Sequence, residues 1–231
     1  MTAAVIGYVR ASVIDGTMKP GEWYSGYQLA EQLGVSRSPV RDGLLRLEQA
    51  GLIRFSHNRG FQVVPTSPED VAEIFCVRAA LEVPATGRAA RTADDGIGRR
   101  LTELRGAMDR AEAAGDDADF FEHDQALHAA ILTAGGMNRG REIVGNLRVS
   151  TRLLGASTSG GLRTLGDISR EHDPIIRAVL AGDPVTARTA MEDHLAATGR
   201  LLVRQALQRS GRSDDPDQLW SDLTTEFYRH T

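Results

Sequence analysis

A single cysteine, Cys76, in 231 residues excludes an internal disulfide framework and fits a reducing compartment, the cytoplasm. It lies in the apolar run Ile74-Phe75-Cys76-Val77, a setting for a buried side chain rather than a reactive thiol. No run of about 18 apolar residues occurs, so no membrane-spanning helix is expected. The first residues, MTAAVIGYVRASVIDG, have no basic stretch leading into a long apolar core, so no secretion signal is expected either. There is no internal repeat and no low-complexity tract. An H-E-x-x-H signature, or anything comparable, is also missing. Charge is scarce as a clue: the net value of −4 does not point to nucleic acid. Its distribution is more informative. The first 66 residues carry seven Lys/Arg against five Asp/Glu, a net +2, and the remainder carries 20 against 26, a net −6. That asymmetry permits a DNA-binding head on an acidic body.

What is present is 41% hydrophobic and 25% charged residues, a globular composition. Val5, Val9 and Val13 recur every fourth residue, which predicts a helix over 3–15. Lys19-Pro20-Gly21 signals a turn. Gln28 to Leu33 form a short helix stopped by Gly34, and Ser36 opens another that runs to about Ala50 before Gly51. Residues 52–55 and 60–64 read as two strands around the polar turn Ser56-His57-Asn58-Arg59. Pro65-Thr66-Ser67-Pro68 is a punctuated linker. Beyond it the pattern is helical, near 68–91, 96–114, 117–134, 138–157, 169–181 and 184–208. Gly182-Asp183-Pro184 closes one helix and opens the next. After a polar stretch at 210–217, Leu219, Trp220, Leu223 and Phe227 form an apolar helical stripe.

Helix, Gly turn, helix and hairpin are the parts of a winged helix-turn-helix. In the second helix Val40, Leu44 and Leu47 supply a packing face. Arg37 and Arg41, four residues apart, share the opposite side, where arginine can reach guanine O6 and N7 in the major groove. Ser36 and Ser38 can donate to phosphates beside the helix N-terminus. Arg59-Gly60 can enter the adjacent minor groove. These residues lie in a stretch that closely resembles the GntR family of regulators. The signals are Lys19-Pro20-Gly21, Leu29-Ala30, Leu33-Gly34-Val35-Ser36-Arg37, Pro39-Val40-Arg41, Leu44, Leu47, Gly51-Leu52 and the wing Arg59-Gly60 with Val63 or Val64. The resemblance implies DNA contacts from Ser36, Arg37, Arg41 and Gly60. Trp23, Tyr24 and Tyr27 depart from it, standing where members usually carry charged residues.

Four polar residues occupy core-facing positions of the later helices. Asp124 and His128 fall on the stripe of Phe121 and Ile131. His172 precedes Ile175, Ile176 and Val179, and His194 falls among Ala187, Met191, Thr198 and Leu201. Burying them without partners costs on the order of several kcal/mol. Three neutral imidazoles and a carboxylate form a coherent ligand set for Zn²⁺, Ni²⁺ or Mn²⁺. Separate histidines bonded to backbone are the alternative from spacing alone. His57 and His123 read as surface residues, and His230 lies in the tail.

This body resembles the FCD-type ligand-binding domain that follows such a head in one large GntR subfamily, over roughly residues 68–209. The resemblance rests on Arg78…Leu81-Glu82, Asp124-x-x-x-His128, Glu171-His172…Ile175 and Gly182-Asp183…Met191…His194-Leu195. It implies that Asp124, His128, His172 and His194 are the metal ligands. Leu127 departs from the usual Phe. Pro174 follows His172 by two residues and opposes a regular helix there. Arg78 and Arg152, in apolar helical contexts, are candidate contacts for a carboxylate effector.

The expected architecture is mainly α. A winged helix-turn-helix spans 1–66, an all-helical effector-binding and dimerisation domain spans 67–209, and a linker with a short helix spans 210–231. The expected function is a cytoplasmic, homodimeric repressor of a palindromic double-stranded DNA operator, with no membrane partner. Its control would come from an organic acid at a divalent-metal site. A regulator with a metal-free ligand domain is one alternative, and a metal-dependent hydrolase is another.

Overall fold

The computed structural model describes residues 1–49, 51–56, 59–153 and 163–228. The chain divides into two compact units, one of Met1–Thr66 with Val149–Ala156 and the other of Ser67–Arg148 and Ser157–Thr231.

The first unit closes on the valines of α1 (Thr2–Ile14), with Val5, Val9 and Val13 buried among Leu29, Val40, Leu44, Leu47, Phe61 and Val63. Helix α2 (Gly26–Leu33) begins two residues before the expected Gln28 because Ser25 caps it, accepting from the Gln28 amide at 3.4 Å. Gly34 ends it at φ 63°, the left-handed position the sequence anticipates. Helix α3 (Arg37–Gln49) buries Val40, Leu44 and Leu47, and Ala50 lies outside the described residues. A side chain at Gly43 would meet Val5 at 2.9 Å, so glycine there lets α1 and α3 approach closely.

The hairpin strands are β2 (Ile53–Ser56) and β3 (Gly60–Val63). A third strand, β1 (Trp23–Tyr24), was not expected. It pairs antiparallel with β3, Trp23 opposite Gln62 and Tyr24 opposite Phe61, giving the sheet order β1-β3-β2. Gly60 is required here on two counts. Its φ is 91°, and an added Cβ would lie 2.2 Å from the Tyr24 carbonyl oxygen.

The second unit is helical: α4 (Pro68–Arg91), α5 (Asp95–Ala114), α6 (Asp117–Ala134), α7 (Asn138–Leu153), α8 (Leu165–Glu171), α9 (Asp173–Leu180), α10 (Pro184–Ser210) and α11 (Pro216–Thr224). A capping box starts α4, with Ser67 and Asp70 exchanging backbone-to-side-chain bonds at 3.0 and 2.8 Å. The helix expected over 169–181 is instead two. Pro174 has no N–H to return to the Arg170 carbonyl and its ring crowds that oxygen, so the chain breaks at His172. His172 both ends α8 and begins α9. The helix expected to reach residue 157 is described to Leu153, and 154–157 lie outside the described residues. No described helix is long and apolar enough to cross a membrane.

The tail corrects another expectation. Leu223 and Phe227 are 42% and 48% exposed, so the stripe with Leu219 and Trp220 is not what packs. The buried face is Trp220, Thr224 and Tyr228, one turn apart each. The Trp220 ring meets Phe75 of α4 edge-on at 6.2 Å, and a Cβ at Gly199 of α10 would lie 2.2 Å from it. Tyr228 Oη donates to the Phe75 carbonyl at 2.8 Å. Arg212 clasps Glu69 at the start of α4 at 2.7 Å. Trp220→Ala is therefore expected to cost about 3–5 kcal/mol of stability, while Phe227→Ala stays within about 0.5 kcal/mol. Urea unfolding of the two variants checks this; equal losses contradict the docked-tail arrangement.

Candidate functional site

Four helices bring the polar core positions together. Helix α6 carries Asp124 and His128 one turn apart, the α8–α9 break carries His172, and α10 carries His194, all buried. The three imidazoles offer ligand nitrogens that lie within 4.8 Å of one another. Their ring centres are 5.3, 5.3 and 4.5 Å apart for the pairs 128–172, 128–194 and 172–194. The Pro174 break does not displace His172; it sets the ring against its partners.

Each imidazole is held by a specific acceptor. His128 Nδ1 bonds the Glu82 carboxylate of α4. His172 Nδ1 donates to the Ile168 carbonyl at 2.9 Å. His194 Nδ1 lies 3.2 Å from Glu171 Oε2. Burial opposes ionisation of Glu82, yet Arg78 and His128 outweigh it and hold the carboxyl well below its usual range. Glu82 is thus an acceptor, and His128 must present its proton on Nδ1. A backbone carbonyl forces the same tautomer on His172. With its proton on Nδ1, each ring in its neutral form leaves Nε2 as a lone pair, and the two Nε2 atoms face each other at 3.3 Å. Asp124 Oδ1, a third acceptor, lies 3.1 Å from His172 Nε2 and 3.8 Å from His128 Nε2.

Protonating His172 or His194 is not a way out of this conflict. Burial, followed by the fields of His128 and Arg148, pushes His172 well below the usual imidazole range. Burial and the two neighbouring histidines do the same to His194. Acceptors converging without a donor among them are the donor set of a divalent cation, and two or three imidazoles with a carboxylate suit Zn²⁺, Ni²⁺ or Mn²⁺. The outer partners match those that orient metal-bound histidines, a carboxylate or carbonyl on the far nitrogen.

Three arginines complete the surroundings, and two of them were not anticipated. Arg78, an expected effector contact, donates from Nε to Glu82 at 2.7 Å; its buried Nη2 has no hydrogen-bond partner among the described residues. The side chain of Arg152, the other expected contact, lies outside the described residues. Arg148, one turn earlier on α7, pairs with Asp124. Arg163 pairs with Glu171 and approaches Thr198 at 3.3 Å. Glu82 and Glu171 were visible in the sequence only as part of the family resemblance. No spacing ties them to histidines on other helices.

The DNA-binding candidates belong to the first unit. Ser36, Arg37, Ser38 and Arg41 are exposed at the start of α3, on the side away from Val40 and Leu44. Arg59 is exposed at the hairpin turn and Gly60 is half-buried beside it; His57 and Asn58 lie outside the described residues. No described ion pair engages Arg37, Arg41 or Arg59. His123, expected at the surface, is partly exposed and 3.3 Å from Asp119.

Comparison with known proteins agrees with both halves. The model of the bacterial regulatory proteins of the gntR family matches residues 1–63, and that of the FCD domain matches residues 73–197. A probable D-xylose utilization operon transcriptional repressor of Paenarthrobacter nicotinovorans is 29% identical over 85% of this chain and 86% of its own length. The Glc operon transcriptional activator of Escherichia coli K12 is 28% identical over 82% of this chain and 84% of its own. A crystal structure of a putative GntR transcriptional regulator from Rhodococcus sp. RHA1 superposes with a TM-score of 0.72 at 26% identity, covering 87% of this chain and 97% of that one. These are regulators and not enzymes, which sets aside the hydrolase alternative.

The histidines also predict a pH dependence. In the unfolded chain His172 and His194 titrate near pH 6.5; in the folded chain burial lowers both. Below about pH 6.5 the unfolded state therefore binds protons that the folded state refuses, and stability falls by up to about 1.4 kcal/mol per pH unit for each group. Chelator-treated protein is expected to show a lower urea midpoint at pH 5.5 than at pH 7.5. An unchanged or higher midpoint at pH 5.5 contradicts the buried neutral rings.

Proposed function

We propose that this chain, which belongs to the gntR family of bacterial regulatory proteins and carries an FCD domain, is a metal-dependent sensor of an organic acid that represses transcription from a palindromic operator. The observation that carries this reading is the 3.3 Å approach of two imidazole Nε2 atoms whose Nδ1 positions are already committed. Asp124, His128, His172 and His194 would hold the ion. When bound, the metal supplies a Lewis-acidic position for a ligand carboxylate.

Charge argues for an anionic effector. Arg78–Glu82, Arg148–Asp124 and Arg163–Glu171 pair off, so the arginine and carboxylate charges of the group balance as they stand. A dication adds two buried positive charges, and an organic acid offsets them. Arg78, with its unpartnered Nη2, is a further donor for that acid, and Arg152 stays with it as a candidate. At the other unit, Arg37 and Arg41 read bases from the exposed side of α3. Ser36 and Ser38 meet phosphate, and Arg59 with Gly60 meets the minor groove. One such head makes few base contacts, so a homodimer on two-fold-related half-sites is the working form. A regulator of this kind works where the DNA lies, in the cytoplasm. Repression follows the xylose relative; the Glc relative activates, and operator position relative to the promoter decides between the two.

Elemental analysis of gently purified, metal-supplemented protein is expected to find a divalent ion. Chelator is expected to lower the melting temperature of the wild type, and His194→Ala is expected to abolish both the ion and this sensitivity. Absence of a bound ion, or full occupancy in His194→Ala, leaves a metal-free ligand domain instead. For the head, Arg37→Ala and Arg41→Ala are each expected to cost about 1–3 kcal/mol of affinity for the duplex that the wild type selects from a random-sequence pool. Wild-type affinity in both variants refutes the assignment of α3.

A further inference from the structure

The aromatic departures at the start of the first unit have a use. The guanidinium of Arg37 lies over the Tyr27 ring, 4.8 Å from its centre. That of Arg59 lies over the Trp23 ring at 5.8 Å. Trp23 stands on β1 opposite Gln62 of β3, the strand that leaves the Arg59 turn. Tyr27 is the second residue of α2, and Arg37 is the first of α3 across the Gly34 turn. Tyr27 is 57% exposed, far more than a core aromatic, and contributes little to closing the hydrophobic interior.

We infer that Tyr27 is a positioning residue that seats the Arg37 guanidinium for base reading, with Trp23 serving Arg59 in the same way. An arginine on a bare surface samples many rotamers, and docking it on DNA costs entropy. A carboxylate partner removes that cost but consumes the N–H donors and adds negative charge to a surface that must approach phosphate. An aromatic face avoids both penalties. It attracts the cation through the ring quadrupole and leaves every N–H, all directed from the guanidinium edge, available to guanine or phosphate. No described ion pair engages either arginine. Tyr27 thereby acts through Arg37 and makes no base contact of its own.

This inference rests on Arg37 being a base contact, and the test separates the two. Affinities are measured by fluorescence anisotropy for the duplex that the wild type selects from a random-sequence pool. An exposed cation–π contact corresponds to about a two- to five-fold change in affinity. Tyr27→Leu is expected to weaken binding by that factor at an unchanged melting temperature. Tyr27→Gln should do the same, and Tyr27→Phe, which keeps the ring, should bind within about two-fold of wild type. In an Arg37→Ala background, Tyr27→Leu is expected to have no further effect. The slope of affinity against salt should be the same in wild type and Tyr27→Leu, because no phosphate contact is lost. If Tyr27→Phe is as weak as Tyr27→Leu, the hydroxyl contacts DNA directly and the seating role is wrong. If Tyr27→Leu binds as wild type, or its effect adds fully to that of Arg37→Ala, the seating role is also wrong. If Arg37→Ala itself binds as wild type, the reading of Arg37 fails and the inference falls with it.

Discussion

Converging lone pairs are the constraint around which the helical unit is built. His128 and His172 each spend one ring nitrogen on an outer acceptor, and their other nitrogens meet at 3.3 Å. Asp124 adds negative charge to the same point. Burying such a set is costly unless each member is tied from behind. The ties form three chains of one pattern: Arg78–Glu82–His128, Arg148–Asp124–His172 and Arg163–Glu171–His194. In each, an arginine pairs with a carboxylate and the carboxylate faces an imidazole. Their worth lies less in stability, where a well-packed apolar core would serve equally, than in fixing the orientation of each ring.

Those chains explain several features of the fold that have no other purpose. Helix α4 must pass close enough to α6 for Glu82 to reach His128, and it is held by α10 and by the Trp220 of α11. The break at His172 lets one residue leave a helix axis while its own Nδ1 is satisfied by the Ile168 carbonyl a turn earlier. A continuous helix would commit that carbonyl to the backbone ladder. Pro174 thus acts as part of the site's construction.

Asp124 and His128 were legible in the sequence because polar residues on an apolar helical stripe are conspicuous, and His172 and His194 stood out for the same reason. Their outer partners were not. Glu82 lies 46 residues from His128 and Arg148 lies 24 from Asp124, separations that no helical period connects. Arg152 and Arg148 are four positions apart in the sequence, and periodicity alone does not choose between them. In the first unit the helices and hairpin followed from valine and leucine spacing and from Gly34. Strand β1 did not, since two residues carry no alternation and their partners are 39 and 37 positions away. In the tail the apolar stripe does not reveal the packed face: a threonine and a tyrosine, not Leu223 and Phe227, share the buried face with Trp220.

The same side chain meets opposite fates in the two units, which is why composition says so little about DNA binding here. In the helical unit Arg78, Arg148 and Arg163 are matched by carboxylates, and their charge is cancelled locally. In the first unit Arg37 and Arg59 rest on Tyr27 and Trp23, which hold a cation without cancelling it. A net charge of +2 over 66 residues understates the field at the exposed end of α3. A surface that must attract phosphate and still present ordered donors gains more from neutral aromatic supports than from acidic ones, because screening by a neighbouring carboxylate acts over the same few ångströms as the contact itself. Before and within the first helix of the motif this chain carries the rings of Trp23 and Tyr27, and the guanidinium groups of Arg59 and Arg37 lie over them.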